Sequence, residues 1–152
     1  MKNDPESPTS VRLRLEIRDA MVGHATSTRS LECCGLLAGR DGVITKAYPA
    51  KNVAANPATA YEIAPREIFD LMREMRAAGL DLLGIYHSHP NGKNEPSPRD
   101  IESAYYPDAA YFIISPLAAA PWPIRAFSIR DGRVTELEIQ ILSGRESNDQ
   151  SA

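Results

Sequence analysis

Two of the chain's three histidines stand two residues apart, at His87 and His89, with Ser88 between them. They close an apolar run, Leu80 to Tyr86, that reads as a buried strand. On extended backbone, side chains at i and i+2 point to the same side. Two imidazole nitrogens can then meet one ion at about 2.0–2.1 Å. Pro90 ends the strand, because it has no N–H for a ladder. Eleven positions past His89 comes Asp100, in the first turn of a helix expected from Ser97 to about Tyr105. The intervening Asn91-Gly92-Lys93-Asn94-Glu95-Pro96 is polar and turn-rich, so it can fold back and carry that turn over the histidines. Two neutral imidazoles and one carboxylate leave a fourth position for water, the layout of a catalytic zinc site rather than a closed structural one. One zinc ion per chain is expected, and the ligand set favours it over other divalent ions.

A metal-activated water needs a base. Glu32 opens the run Glu32-Cys33-Cys34-Gly35-Leu36-Leu37, where a carboxylate among apolar residues calls for a reason. It is the candidate to take a proton from water and return it to a leaving amine. The Ser97 hydroxyl is the candidate donor to the oxyanion on the attacked carbonyl. Each residue also has a structural explanation. Ser97 and Asp100 match a capping box, and Glu32 fits a surface strand end. The histidines just upstream favour the metal role for Asp100, and Ser97 can serve both as cap and as donor. His24, on the apolar stripe of an earlier helix, reads as a core or boundary histidine, and Met72, Met75 and Tyr86 read as packing residues.

The run His87-Ser88-His89, seven residues from Pro90 to Pro96, Ser97, two residues and Asp100 resembles the JAMM (MPN+) metalloprotease signature. Glu32, ahead of Cys34-Gly35-Leu36-Leu37, fits the family's upstream Glu-x-Cys-Gly-Leu-Leu-type strand. The resemblance covers about Val11 to Leu142 without a departure at a motif position, and the four-residue set is far more specific than His-x-His alone. It implies zinc held by His87, His89 and Asp100, with Glu32 as acid–base and Ser97 as oxyanion stabiliser. It also implies hydrolysis of a peptide or isopeptide bond after the C-terminal Gly of a ubiquitin-like protein. The compact length looks like the small stand-alone prokaryotic branch. Some members of that branch trim sulfur-carrier proteins beyond their Gly-Gly end. The insertions of relatives that grip polyubiquitin do not fit in this length.

The elements that must position these residues are legible in outline. Val11, Leu13, Leu15 and Ile17 alternate as a strand, and Ile17 to Ala25 continue at helical spacing. Leu31–Gly39 and Val43–Tyr48 read as strands joined by a turn at Asp41-Gly42. Ala50 to Ala60 reads as a loop, and Tyr61–Ile63 as a short strand. A helix starts at Pro65 and stops at Gly79. Tyr111–Ser115 is a buried strand, and Ile124–Leu142 a hairpin turning at Asp131-Gly132. Trp122, between two prolines, falls in a loop of no evident purpose. The expected fold is mixed α+β: a mixed, largely antiparallel sheet flanked by helices, the JAMM/MPN fold with its cytidine-deaminase-like layered core. One catalytic domain, 11–142, lies between loose polar tails at 1–10 and 143–152.

The chain's 152 residues fit a single domain whose core needs no metal to fold. A net charge of -3, with scattered Lys and Arg, argues against nucleic acid or an anionic membrane as partner. Neighbouring Cys33 and Cys34 cannot bridge each other without strain, and no other cysteine is available. Cys34 should share the Glu32 face of its strand, as a small buried hydrophobe. With no signal-peptide pattern and no apolar run of membrane-spanning length, a reducing cytoplasm is expected. The expected partner is a ubiquitin-like or sulfur-carrier protein ending in Gly-Gly. A homodimer is compatible with the sequence, which names no interface for one. Three rivals remain to be weighed: a metal-free scaffold of the same fold, a same-fold hydrolase of the DNA-repair or phage-tail kind, and a zinc deaminase. The scaffold predicts missing ligands, and none is missing. The deaminase expects His-x-Glu and Pro-Cys-x-x-Cys, which are absent.

Overall fold

The computed structural model describes residues 8–116 and 123–143. Trp122 and most of both expected tails lie outside the described residues. The elements are β1 (Ser10–Arg14), α1 (Leu15–Ser27), β2 (Cys34–Arg40), β3 (Val43–Ala50), α2 (Pro65–Ala77), β4 (Asp81–Ser88), α3 (Pro98–Glu102), β5 (Ala110–Ile114), β6 (Ile124–Arg130) and β7 (Arg133–Leu142).

The seven strands run in the order β1-β3-β2-β4-β5-β6-β7, and β1 pairs with β7, so the sheet closes on itself. Pairs β2–β3, β2–β4, β5–β6 and β6–β7 are antiparallel, while β1–β3, β1–β7 and β4–β5 are parallel. The sheet is therefore mixed and largely antiparallel, as expected. Its central strands read as unbroken apolar runs because both of their faces are covered. One face of the sheet, with Leu13, Leu37, Tyr86, Phe112 and Ile114, packs under Ile17, Met21 and Ala25 of α1. The opposite face, with Cys34, Leu36, Ile85, Tyr111 and Ile113, packs with Met75, Ile68 and Leu71 of α2. The expected Asp-Gly hairpin turns are present, with positive φ at Asp41 and Gly42 and at Asp131 and Gly132, as such turns require.

Several boundaries depart from the sequence reading. The first strand ends at Arg14, and Leu15 and Ile17 belong to α1. Ile17, Met21 and Ala25 repeat every four residues and are buried, whereas Leu15 is 36% exposed, so the helical period governs there. Tyr61–Ile63 forms no strand. The helix after Ser97 stops at Glu102 rather than near Tyr105. Glu32 lies ahead of β2 rather than on it.

Candidate functional site

His87 sits in β4, paired in register with Cys34 of β2 and Ile113 of β5. It is buried, and its ring faces away from that of Tyr86, its neighbour in the core under α1. His89 lies just past the strand, and its N–H continues the β4–β5 pairing by donating to the Ile114 carbonyl at 2.8 Å. The two Nε2 atoms are 3.0 Å apart. The turn-rich segment folds back as expected and brings in Asp100, whose Oδ2 lies 3.2 Å from His87 Nε2 and 3.1 Å from His89 Nε2. Glu32, 7% exposed, has a carboxylate oxygen within 4.8 Å of nitrogens on both rings.

These distances resolve two overlapping sets of three, one closed by Asp100 and one by Glu32, which share the histidine pair. The Asp100 set is the tighter. Tetrahedral bonds of 2.0–2.1 Å would separate neighbouring ligand atoms by about 3.3–3.4 Å. The observed triangle is only slightly smaller. His89 Nδ1 lies 2.7 Å from the carbonyl oxygen of Lys93, which can only accept. The proton therefore sits on Nδ1, and the Nε2 of a neutral His89 carries a lone pair toward the centre. That lone pair, the second imidazole and a carboxylate oxygen converge on one point, an arrangement that only a cation or shared protons can reconcile. The residues present fit a divalent metal.

The electrostatics separate the two carboxylates. Burial raises Glu32 to about 7, with Asp100 adding to the rise and His89 and Arg99 opposing it. Burial also works against a charged Asp100, yet the two histidine rings and the Ser97 N–H hold its carboxyl far below the usual range. Burial lowers the pKa of His87 and keeps that ring neutral. For His89, burial is outweighed by the hydrogen bonds to Asp100 and the Lys93 carbonyl, so its pKa is raised. A carboxylate that stays ionised suits a ligand, and one poised near neutrality suits proton transfer.

Ser97 caps α3. Its hydroxyl accepts from the Asp100 N–H at 3.1 Å, and its own N–H donates to Asp100 Oδ2 at 2.9 Å. The capping box thus aims the same oxygen that faces the histidines, and the hydroxyl keeps a proton to donate. Cys33 and Cys34 are buried free thiols in different cores, Cys33 under α1 and Cys34 with His87's neighbours on the α2 side. Burial pushes the Cys34 thiol up to about 12. His24 is a half-buried boundary residue whose Nδ1 lies 2.7 Å from the Tyr86 hydroxyl.

Sequence reasoning missed three contributors. Tyr61 stacks on His87 with ring centroids 4.4 Å apart at 22°. Ser88 holds Cys33 through both its N–H and its hydroxyl. Asn52, in what read as plain loop, donates to the Glu32 carbonyl. None has a periodicity or motif spacing to announce it. A cavity of about 870 Å³, lined by Leu13, Met21, Phe112 and Leu137 among others, lies under α1 and contains none of the four central residues.

The family described as prokaryotic homologs of the JAB domain matches residues 14–130. The desampylase of Haloferax volcanii is 40% identical over 116 residues, spanning 71% of this chain and 84% of that protein. The CysO-cysteine peptidase of Mycobacterium tuberculosis is 33% identical over 132 residues, spanning 86% of this chain and 90% of that one. A solution structure of a protein from Desulfitobacterium hafniense superposes with a TM-score of 0.77 at 34% identity, covering 88% of this chain and 93% of the other. The chain belongs to the prokaryotic JAB-domain family, the JAMM type of peptidase.

Proposed function

We propose that this chain hydrolyses the peptide or isopeptide bond after the C-terminal Gly of a ubiquitin-like or sulfur-carrier protein. It would do so with one zinc ion held by His87, His89 and Asp100. The observation that carries the reading is the 3.0–3.2 Å triangle of His87 Nε2, His89 Nε2 and Asp100 Oδ2, with a buried second carboxylate, Glu32, alongside. The relatives support the substrate class, since one is named a desampylase and another for a CysO-cysteine substrate.

Zinc, when bound, supplies Lewis acidity that brings the pKa of a water molecule down from 15.7 to about 7. Glu32 accepts a proton from the attacking water at its carboxylate and passes it to the leaving amine. Ser97 donates its hydroxyl proton toward the developing oxyanion. Asp100 stays ionised, and His89 is held in the tautomer that leaves Nε2 free. The two thiols are free and buried, and no helix among the described residues is long and apolar enough to cross a membrane. The free thiols suit a reducing, cytoplasmic setting, and the catalytic unit is taken as residues 11–142.

The test is to incubate the protein with ubiquitin-like and sulfur-carrier proteins, each extended beyond Gly-Gly, and to read intact masses against Glu32→Gln. Loss of the extension with wild type alone is the expected result, with turnover in the variant lower by at least about 10²-fold. Zinc bound without cleavage of any member of the panel would overturn the substrate class. Full activity in Glu32→Gln would overturn the role of Glu32.

A further inference from the structure

Glu32 belongs to no strand, so its carboxyl is only as well placed as the contacts that hold its main chain. Its N–H donates to the Pro57 carbonyl at 2.8 Å. Its carbonyl accepts from Asn52 Nδ2 at 3.0 Å. The same Nδ2 donates to the Ala60 carbonyl at 2.9 Å and faces that of Pro57 at 3.4 Å. On the other side of the carboxamide, Oδ1 accepts from the N–H groups of Ala54 at 3.0 Å and Glu62 at 3.1 Å. Carbonyls surround one end of the amide and N–H groups the other, so its orientation is fixed by its partners.

All these partners are main-chain groups in irregular segments. Beside the direct Glu32–Pro57 main-chain bond, one half-buried side chain ties the loop 54–62 to the residue that carries the acid–base carboxyl. Tyr61, whose ring lies on His87, sits between two of the anchored residues, Ala60 and Glu62. The carboxamide thus links Glu32 to the loop that covers a candidate ligand. None of the partners of Asn52 lies in a strand, so removing it should disturb this corner and spare the sheet.

We propose that Asn52 is the positioning residue for Glu32, its carboxamide locking the main chain at residue 32 to the 54–62 loop so that the Glu32 carboxyl stays over the histidine pair. The proposal rests on Glu32 being the acid–base, and its test separates the two. The probe is a sulfur-carrier protein extended by one residue beyond Gly-Gly. The proteins compared are wild type, Asn52→Ala, Asn52→Asp, Glu32→Gln and the Asn52→Ala/Glu32→Gln pair. Asn52→Ala should lower kcat about 10–10²-fold, the scale of a small misplacement, with KM and zinc content unchanged. In the Glu32→Gln background it should cost no further turnover, because two residues acting as one unit are not additive. In metal-free protein, the Glu32 amide should exchange with solvent roughly tenfold faster in Asn52→Ala, while amides of β2 and β4 keep their protection.

Wild-type kcat in Asn52→Ala alongside an impaired Glu32→Gln would overturn this proposal alone. So would an equal proportional loss in both backgrounds, which marks a purely structural role. Full activity in Glu32→Gln would instead overturn the acid–base assignment and take this proposal with it. Amide exchange needs no substrate, and unchanged protection at Glu32 overturns the proposal by itself. Asn52→Asp keeps the size of the side chain but sets a carboxylate against carbonyls. It should show the same losses, and it carries the test if Asn52→Ala does not fold.

Discussion

Ser88 and Cys33 are joined twice: the Ser88 N–H donates to the Cys33 carbonyl at 3.1 Å, and the Ser88 hydroxyl accepts from the Cys33 N–H at 2.9 Å. Ser88 stands between the two histidines, and Cys33 follows Glu32. This clamp fastens the candidate base to the strand that carries the candidate ligands. Both residues are buried, so losing the hydroxyl strands a buried N–H. Ser88→Ala should therefore cost about 1–3 kcal/mol of stability and lower turnover in the folded fraction. Ser88→Thr, which keeps the hydroxyl, should retain more of both. Thermal unfolding and kcat measured together check this, and an unchanged melting temperature in Ser88→Ala would exclude the clamp.

Glu32 is held at a cost that depends on pH. Its folded pKa, raised by burial to about 7, lies above the unfolded value of 4.5. Between these values the unfolded chain ionises first. The metal-free protein should thus lose stability as pH rises from about 4.5 to 7 and level off above. The loss is on the order of 3 kcal/mol. Glu32→Gln cannot ionise and escapes this loss. Its melting temperature, measured in chelator, should exceed that of wild type by a margin that widens across this window. A margin that is constant from pH 5 to 8 would show that the carboxyl is not desolvated.

Much of the site could be read from residue types and spacing, because ligand chemistry demands particular side chains at particular separations. The structure brings His87, His89 and Asp100 together in a triangle, with Glu32 beside it. The runs at β2, β4 and β5 were legible because strands covered on both faces have no polar positions. Closure of the sheet was not, since β1 and β7 lie at opposite ends of the chain and neither strand marks its partner. Leu15 and Ile17 fit period two as well as the helix that claimed them. Tyr61–Ile63 was too short for periodicity to decide, and its loop geometry comes from Asn52, whose five main-chain contacts leave no pattern in sequence.

The metal reading predicts separable effects on binding and folding. Two apolar clusters hold the sheet between α1 and α2 without help from the site. His89→Ala and Asp100→Ala should therefore lose zinc, read by elemental analysis, and keep a native circular dichroism spectrum. A chelator should lower the melting temperature of wild type, since a ligand bound only to the folded state stabilises it by mass action. It should leave His89→Ala unmoved. An unfolded spectrum in either variant would make the ion a structural element instead.

Ser97 has two roles that substitution can divide. Its hydroxyl accepts from the Asp100 N–H, while its main-chain N–H holds Asp100 Oδ2 whatever the side chain. Ser97→Ala loses the cap, worth about 0.5–2 kcal/mol, but Gly is nearly as good a cap as Ser and costs only a few tenths. Neither variant has a hydroxyl to offer an oxyanion. If Ser97 is the oxyanion donor, both should lose about 10²–10³-fold in kcat, with Ser97→Gly close to wild type in stability. Turnover in Ser97→Gly close to that of wild type would leave Ser97 only a cap, and Ser97→Ala would then fail through stability alone. Measuring kcat and melting temperature on both variants decides between the two.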